Sequence, residues 1–268
     1  MKVLLLICLF INSNVYAAAL NPAPKKGIVI FGASTYKANK KFDKKRKKAN
    51  FVNNSTFEKL EATYFLQHGL NDKYALIAMG VLLSDLTSTG DAGKKNNTAT
   101  GDQEVGIKYQ YAKTTQLVKS WQLTTSFPTY SRSGDPLPGN HQHNIELRHL
   151  WDIMPQKFFD FHSIETGYRL RFDQPADLVR IDYTSGKNFQ QNLILLHAFF
   201  AYSMKNHDGQ NSNTNPNINS DYDNLKLGFS WVRTLKPQWR GQLGYLRDVW
   251  GRNIGIGDTL YLNAWYEY

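Results

Sequence analysis

Leu260-Tyr261-Leu262-Asn263-Ala264-Trp265-Tyr266-Glu267-Tyr268 repeats with a period of two: Leu260, Leu262, Ala264, Tyr266 and Tyr268 fall on one side, Tyr261, Asn263, Trp265 and Glu267 on the other. Successive side chains of a β-strand point to opposite faces, whereas a helix would scatter these residues around its circumference. Residues 101–111 repeat the pattern, with Val105, Ile107, Tyr109 and Tyr111 set against Glu104, Gly106, Lys108 and Gln110. Working outward from these two stretches, the same period recurs in twelve segments, 27–37, 55–68, 73–86, 101–112, 117–129, 142–152, 158–172, 178–187, 191–204, 222–233, 239–250 and 257–268. The expected fold is all-β.

The connections sort themselves by parity. Long ones, 37–54, 87–100, 130–141 and 205–221, are rich in Lys, Asn, Ser, Gly and Asp. Short ones, 69–72, 112–116, 152–156, 187–190 and 235–238, alternate with them, and 173–177 and 251–255 are short where the rhythm calls for long. A soluble sandwich has no reason to sort loops this way. A membrane barrel does, with short periplasmic turns, longer outer loops and an even strand count that brings both ends to the periplasm. We therefore expect a twelve-stranded antiparallel transmembrane β-barrel in the bacterial outer membrane. Segment 257–268 should pair with 27–37 and close it, and its alternation up to an aromatic residue, Tyr268, is the kind of signal that barrel assembly reads.

Residues 1–19 are expected to be a signal peptide, leaving 20–268 as the barrel. Lys2 is the positive start, Val3 to Ile11 the apolar stretch, and both Val15-Tyr16-Ala17 and Ala17-Ala18-Ala19 present small-residue cleavage sites, so cleavage after Ala17 also fits. The apolar run is too short to span a bilayer. Cys8, the single cysteine, leaves with it, which excludes a disulfide scaffold, thiol catalysis and cysteine metal sites. The net charge is +10 and aromatics make up 13% of the chain, a polar average with many rings that suits a wet lumen inside a greasy belt. No stretch after residue 19 is long and apolar enough for a transmembrane helix.

Four stretches resemble an outer-membrane family named after the meta-pathway of phenol degradation. His68-Gly69-Leu70-Asn71-Asp72-Lys73 is similar to its tight turn, and Gly101-Asp102-Gln103-Glu104-Val105-Gly106-Ile107-Lys108-Tyr109 to its long strand. Pro175-Ala176-Asp177 ahead of Arg180 and Asp182, and Gly251-Arg252-Asn253, match two further turns, in order along the chain. The resemblance implies a barrel that passes small hydrophobic or aromatic molecules. The basic loop 37–48 and the Asn-rich loop 206–219 depart from the family pattern.

Charged side chains cannot face mid-bilayer lipid without costing about 2–4 kcal/mol for Lys or Arg, so they point inward. By that rule the pore-lining residues are Lys59, Glu61, Glu104, Lys108, Glu146, Arg148, Glu165, Arg169, Arg171, Arg180, Asp182 and Lys226. They either orient a solute or cross-pair as ladders that fill the barrel. Phe159, Phe161, Phe199 and Trp265 point inward on the same convention, and other rings crowd the strand ends, where headgroups lie. Loop 37–48, with eight basic residues against Asp43, is expected to face lipopolysaccharide; it lacks the interleaved aromatics of a nucleic-acid module. His141 and His143 share a strand face but have no third ligand at metal spacing. None of the seven histidines has Ser two residues on, the spacing a strand would need to activate a hydroxyl.

The chain is thus expected to have no catalytic, metal or cofactor site. Its partners are outer-membrane lipids, lipopolysaccharide and a small hydrophobic solute, and not nucleic acid. The leading reading is a channel or porter; the alternative is a structural or surface-interaction barrel with a closed lumen.

Overall fold

Alternating strands with one apolar face must close on themselves in lipid, because an open edge would leave its N–H and C=O groups without partners. In the computed structural model, which describes residues 18–52, 55–91, 93–154, 157–172, 175–206 and 213–268, they do so. The strands are β1 (Gly27–Phe42), β2 (Lys48–Asn50), β3 (Thr56–Gly69), β4 (Tyr74–Gly90), β5 (Gly93–Ala99), β6 (Asp102–Lys113) and β7 (Leu117–Pro128). They continue as β8 (Asn144–Ile153), β9 (Phe161–Arg171), β10 (Leu178–Phe189), β11 (Asn192–Ser203), β12 (Asp223–Lys236), β13 (Trp239–Arg252) and β14 (Ile254–Glu267). Twelve form a closed antiparallel ring, in which β4 pairs with β6 past β5 and β14 pairs with β1 from Ile28↔Glu267 to Phe42↔Ile254. Gly27 and Tyr268 exchange backbone hydrogen bonds of 3.1 and 3.0 Å, which locks the seam at what we call the termini end.

Two expected loops are partly strand. β1 runs on to Phe42 and returns as β2, and the segment expected as loop 87–100 is a hairpin of β4 and β5 turning at Gly93, whose φ is +96°. Thr87 bonds Asn96 and Thr98 bonds Asp85 across it. Both faces of that hairpin are polar, so it carries no alternation to read. β14 begins at Ile254 rather than 257, because Asn253, at a φ of 52°, makes the turn by itself. Asn tolerates this left-handed conformation better than most residues.

The outward residues are the exposed apolar ones, including Leu60, Leu123, Leu147, Phe229 and Leu262, the last 59% exposed. Rings mark the border at the termini end, where Trp239 packs on Tyr266 at 4.8 Å and Trp121 on His149 at 4.1 Å. An outward charge row marks the other border: Lys37 bonds Glu58, faces Asp258 across the seam, and Asp258 pairs with Arg247 at 3.3 Å. The eight residue steps from Asp258 to Tyr266 span roughly 20 Å of height at a strand tilt near 40°, close to the apolar band of such barrels. No described helix is long and apolar enough to cross a membrane; the chain crosses with strands.

The interior is divided. At the termini end Ile28, Phe161, Leu193, Leu195, Val232 and Trp265 are buried together, with Ile30, Phe65 and Met154 packed against them. Across the barrel, β6, β8, β9 and β10 present charges instead.

Candidate functional site

β8, β9 and β10 are neighbours, and period-two alternation brings Glu146, Arg148, Glu165, Arg169, Arg180 and Asp182 to one inner surface. Glu146, only 1% exposed, is the hub. It accepts from Arg148 Nε at 2.6 Å and from Arg180 at 3.3 Å, and a shorter bond joins it to Arg169. Arg148 also reaches Glu165 at 2.8 Å and Asp182 at 3.0 Å, Arg180 reaches Asp182 at 3.3 Å, and Arg169 reaches Glu104 at 3.2 Å. Each guanidinium thus forks between carboxylates on different strands, a geometry that Lys could not supply. Such a lattice tolerates the low dielectric of the interior because every charge has a partner.

The remaining predicted residues stand around it. Lys59 pairs with Glu61 at 2.8 Å and Lys226 with Asp248 at 3.7 Å. Lys108 lies toward the termini end. Arg171 sits apart at the loop end, donating to the carbonyls of Ala176 and Ser220, with its guanidinium 5.8 Å from the Tyr222 ring centroid. Phe161 and Trp265 belong to the apolar cluster, and Phe199 lines the cavity beside Lys226.

Both ends of the lumen are filled. At the termini end residues 18–21 enter the barrel. Ala19 N–H and Leu20 N–H donate to Asp152 Oδ2 at 2.7 and 3.0 Å, Ser120 Oγ donates to Ala19 O, and Lys108 Nζ donates to Ala18 O and Leu20 O at 2.8 and 2.9 Å. Lys108, Ser120 and Asp152 are fully buried, so this short backbone supplies partners that water does not. At the loop end residues 213–220 fold inward. Thr214 bonds Asp135, Asn215 donates to Leu137 O, and Asn219 donates to Asn253 O. Below them the Tyr36 hydroxyl lies 3.2 Å from Asp248 Oδ2 and 3.3 Å from Asn217 Oδ1. Gly257 makes room for that ring, because a Cβ there would come within 2.3 Å of it.

Three cavities lie in series between these elements. The loop-end vestibule, about 660 Å³, has a floor of Phe42, Phe51, Phe57, Pro216 and Ile254. The middle cavity, about 470 Å³, is bordered by Tyr36, Arg180, Phe199, Tyr222 and Lys226. The lower one, about 340 Å³, is bordered by Ile30, Phe65, Met79, Lys108, Glu165 and Trp265. Ile254 borders the first and second, and Arg180 the second and third. The volumes suit small ligands.

Residue spacing missed several of these groups. Asp152 shares its face with Glu146 and Arg148 and could have been read by the same rule. Asp248 shares its face with the buried Arg240 and Gln242 of β13 and could have been read the same way, because the irregularity between β12 and β13 lies beyond it. A within-strand search for His and Ser also missed a cross-strand pair: His197 Nε2 lies 3.0 Å from Ser230 Oγ, and His197 Nδ1 lies 3.1 Å from Thr184 Oγ1. Ser230 is fully buried and accepts from Gln242, and the partner at Nδ1 is a hydroxyl rather than a carboxylate. That geometry makes a satisfied polar chain and lacks the acid that would hold an imidazole as a base. Among the described residues, no group of three or more His, Cys, Asp or Glu could hold a metal ion.

No family model matches the sequence, and no curated protein matches it. Solved structures do. The crystal structure of an outer-membrane channel from Pseudomonas putida matches with a TM-score of 0.75 at 12% identity, over 94% of this chain and 98% of its own. The translocator domain of the autotransporter NalP from Neisseria meningitidis matches with a TM-score of 0.52 at 8% identity, over 92% and 90%. At such identities the likeness carries the fold: the chain is a twelve-stranded transmembrane β-barrel of the type found in bacterial outer membranes.

Proposed function

We propose that this barrel is a non-enzymatic channel or porter that admits small hydrophobic or aromatic molecules across the outer membrane. The observation that carries the reading is the series of three cavities, each with rings or aliphatic side chains on part of its wall and each sharing a border residue with the next. The match to a barrel described as an outer-membrane channel supports it, as does the resemblance of four stretches to the meta-pathway family. Passage requires the Tyr36–Asn217 contact and the seated residues 18–21 to give way, since Tyr36 and Asn217 border the middle cavity and Ala18 the lower one. Nine of the twelve charges border the middle or lower cavity, Glu104 and Glu146 pair with them from behind and Arg171 lies apart at the loop end, and the solute moves along the apolar parts of the wall.

The filled ends favour one other reading, a structural barrel whose lumen stays closed. Flux separates the two. Liposomes carrying the refolded protein should take up small aromatic solutes faster than empty ones; uptake equal to that of empty liposomes would leave the structural reading standing.

The loop end then faces outward. There the lysines of the hairpin 40–48 form no ion pair with a described residue, whereas Arg46 bonds Asp223 at 2.6 Å and lies over the Trp250 ring. Uncompensated charge at that height suits lipopolysaccharide phosphates. We place the signal-peptide boundary after Ala17, because removing Ala18 and Ala19 would strip Ser120, Lys108 and Asp152 of bonds they make in the lumen. Residues 1–17 lie outside the described residues. The amino-terminal sequence of protein extracted from membranes should begin at Ala18; a start at Leu20 would place the boundary two residues later.

A further inference from the structure

The middle cavity is not symmetric in charge. Carboxylates and cations around it are nearly equal in number, but the cations stand forward. Lys226 is 32% exposed and its partner Asp248 2%; Arg180 is 27% exposed, against 11% for Asp182 and 1% for Glu146. Lys59 is likewise more open than Glu61, and Arg169 more open than Glu104. A solute in this space meets ammonium and guanidinium groups first, with the carboxylates one layer behind, and the nearer charges dominate the field it feels.

Lys226 holds its carboxylate partner the most loosely of these cations, and its ammonium also lies 5.6 Å from the Tyr36 ring centroid. Its ion pair is 3.7 Å long, where the lattice pairs are 3.3 Å or shorter, and Asp248 is held independently by Asn224 Nδ2, Gly257 N and the Tyr36 hydroxyl. Directly opposite Lys226 across the β11–β12 ladder is Phe199, whose ring borders the same cavity. Such cross-strand partners have Cβ atoms about 5 Å apart. A cation and a ring at that spacing match the two ends of a small aromatic acid.

We infer that the middle cavity is a binding site for small aromatic carboxylates, with Lys226 and Arg180 meeting the carboxylate and Phe199 and Tyr222 meeting the ring. The inference rests on the channel reading for its physiological meaning, because it names the class of solute that would pause on that path. Arg180 stays engaged by Glu146 and Asp182 and acts as fixed positive wall; Lys226 turns from Asp248 to the ligand.

Calorimetric titration of benzoate, benzyl alcohol and benzylammonium into the full chain in nonionic detergent tests it. Benzoate should bind most tightly and benzylammonium least. K226Q should weaken benzoate about tenfold while leaving benzyl alcohol unchanged, K226R should restore most of the loss, and F199A should weaken benzoate and benzyl alcohol alike. Because Asp248 keeps its other partners, K226Q should fold, and an unchanged unfolding midpoint would verify this. Benzoate binding no tighter than benzyl alcohol, or an unaltered benzoate affinity in K226Q, would overturn the inference. Benzoate binding without any solute flux would leave the site standing and remove the channel; flux without anion preference would do the reverse.

Discussion

Two walls of one lumen, built by the same alternation, hold themselves together in different ways. The wall of β8, β9 and β10 is a lattice in which Glu146 engages three arginines. The wall of β11, β12, β13, β14 and β1 carries Leu193, Leu195, Val232, Trp265 and Ile28, packed with Phe161 from the end of β9 as a small core, with the amide and hydroxyl chain of His197, Ser230, Gln242 and Asn263 beside it. The lattice is directional and fully cross-linked, so it has one good arrangement. The packed wall depends on contact area, which tolerates small repacking. On the proposed channel reading, a path for solutes widens along the second wall while the first keeps the barrel's shape.

Breaking the lattice should have the largest effect. Glu146→Gln leaves three guanidiniums facing one another without their shared anion, and removing one partner of a buried ion pair costs about 3–5 kcal/mol. Urea titration of the barrel in lipid vesicles should show the midpoint fall accordingly. A change under about 1 kcal/mol would mean that the lattice fills space without organising it. Trp265→Ala tests the opposite wall. Loss of a buried indole, with its hydrogen bond to Gln242, should cost about 3 kcal/mol by the same titration, and it should enlarge the lower cavity. Unlike Glu146→Gln, it should speed the uptake of aromatic solutes.

A smaller effect is expected where the walls meet the seated segment. Asp152→Ala removes the acceptor for Ala19 N–H and Leu20 N–H and should cost about 1–3 kcal/mol. Protease should then cut near residue 20 faster than in the unaltered protein, and unchanged protection would show that the segment is held by other means. The smallest effect is expected outside both walls, at the loop-end rim. Bonds from Arg252 at 2.5 and 2.6 Å hold the Asp221 carboxyl below its usual range. A depressed folded pKa means that the bond stabilises above the ordinary carboxylate pKa and is lost as pH falls through the lower folded value. Asp221→Asn should lower stability by under about 1 kcal/mol at neutral pH and flatten its acid dependence, while leaving solute uptake unaltered.

Much of this was legible in the chain. Alternation set Glu146 and Arg148, Arg169, and Arg180 on the polar faces of their strands and gave the count of twelve segments, and the even count with loop parity joined the first strand to the last. Four things were hidden for separate reasons. Of the inward apolar cluster, Phe161 and Trp265 could be read, but Leu193 and Leu195 could not, because Leu193 to Tyr202 is apolar on both faces for most of its length and no period shows which side is in. The β4–β5 hairpin was masked by the opposite condition, polarity on both faces. The bonds that Ala18 and Ala19 make to Lys108, Ser120 and Asp152 join residues 90, 101 and 133 positions apart, which no local pattern contains. The His197–Ser230 contact depends on the register between β11 and β12, which no single strand contains.

On the proposed channel reading, a path runs through three cavities beside the packed wall and is held shut by residues at its two ends. Single-channel recording of the refolded protein in planar bilayers tests it most directly, with and without benzoate. Small discrete conductance steps that benzoate reduces are expected, with larger, more frequent steps in Asp152→Ala. Bilayers that stay silent with both proteins, over a folded and inserted barrel, would contradict it.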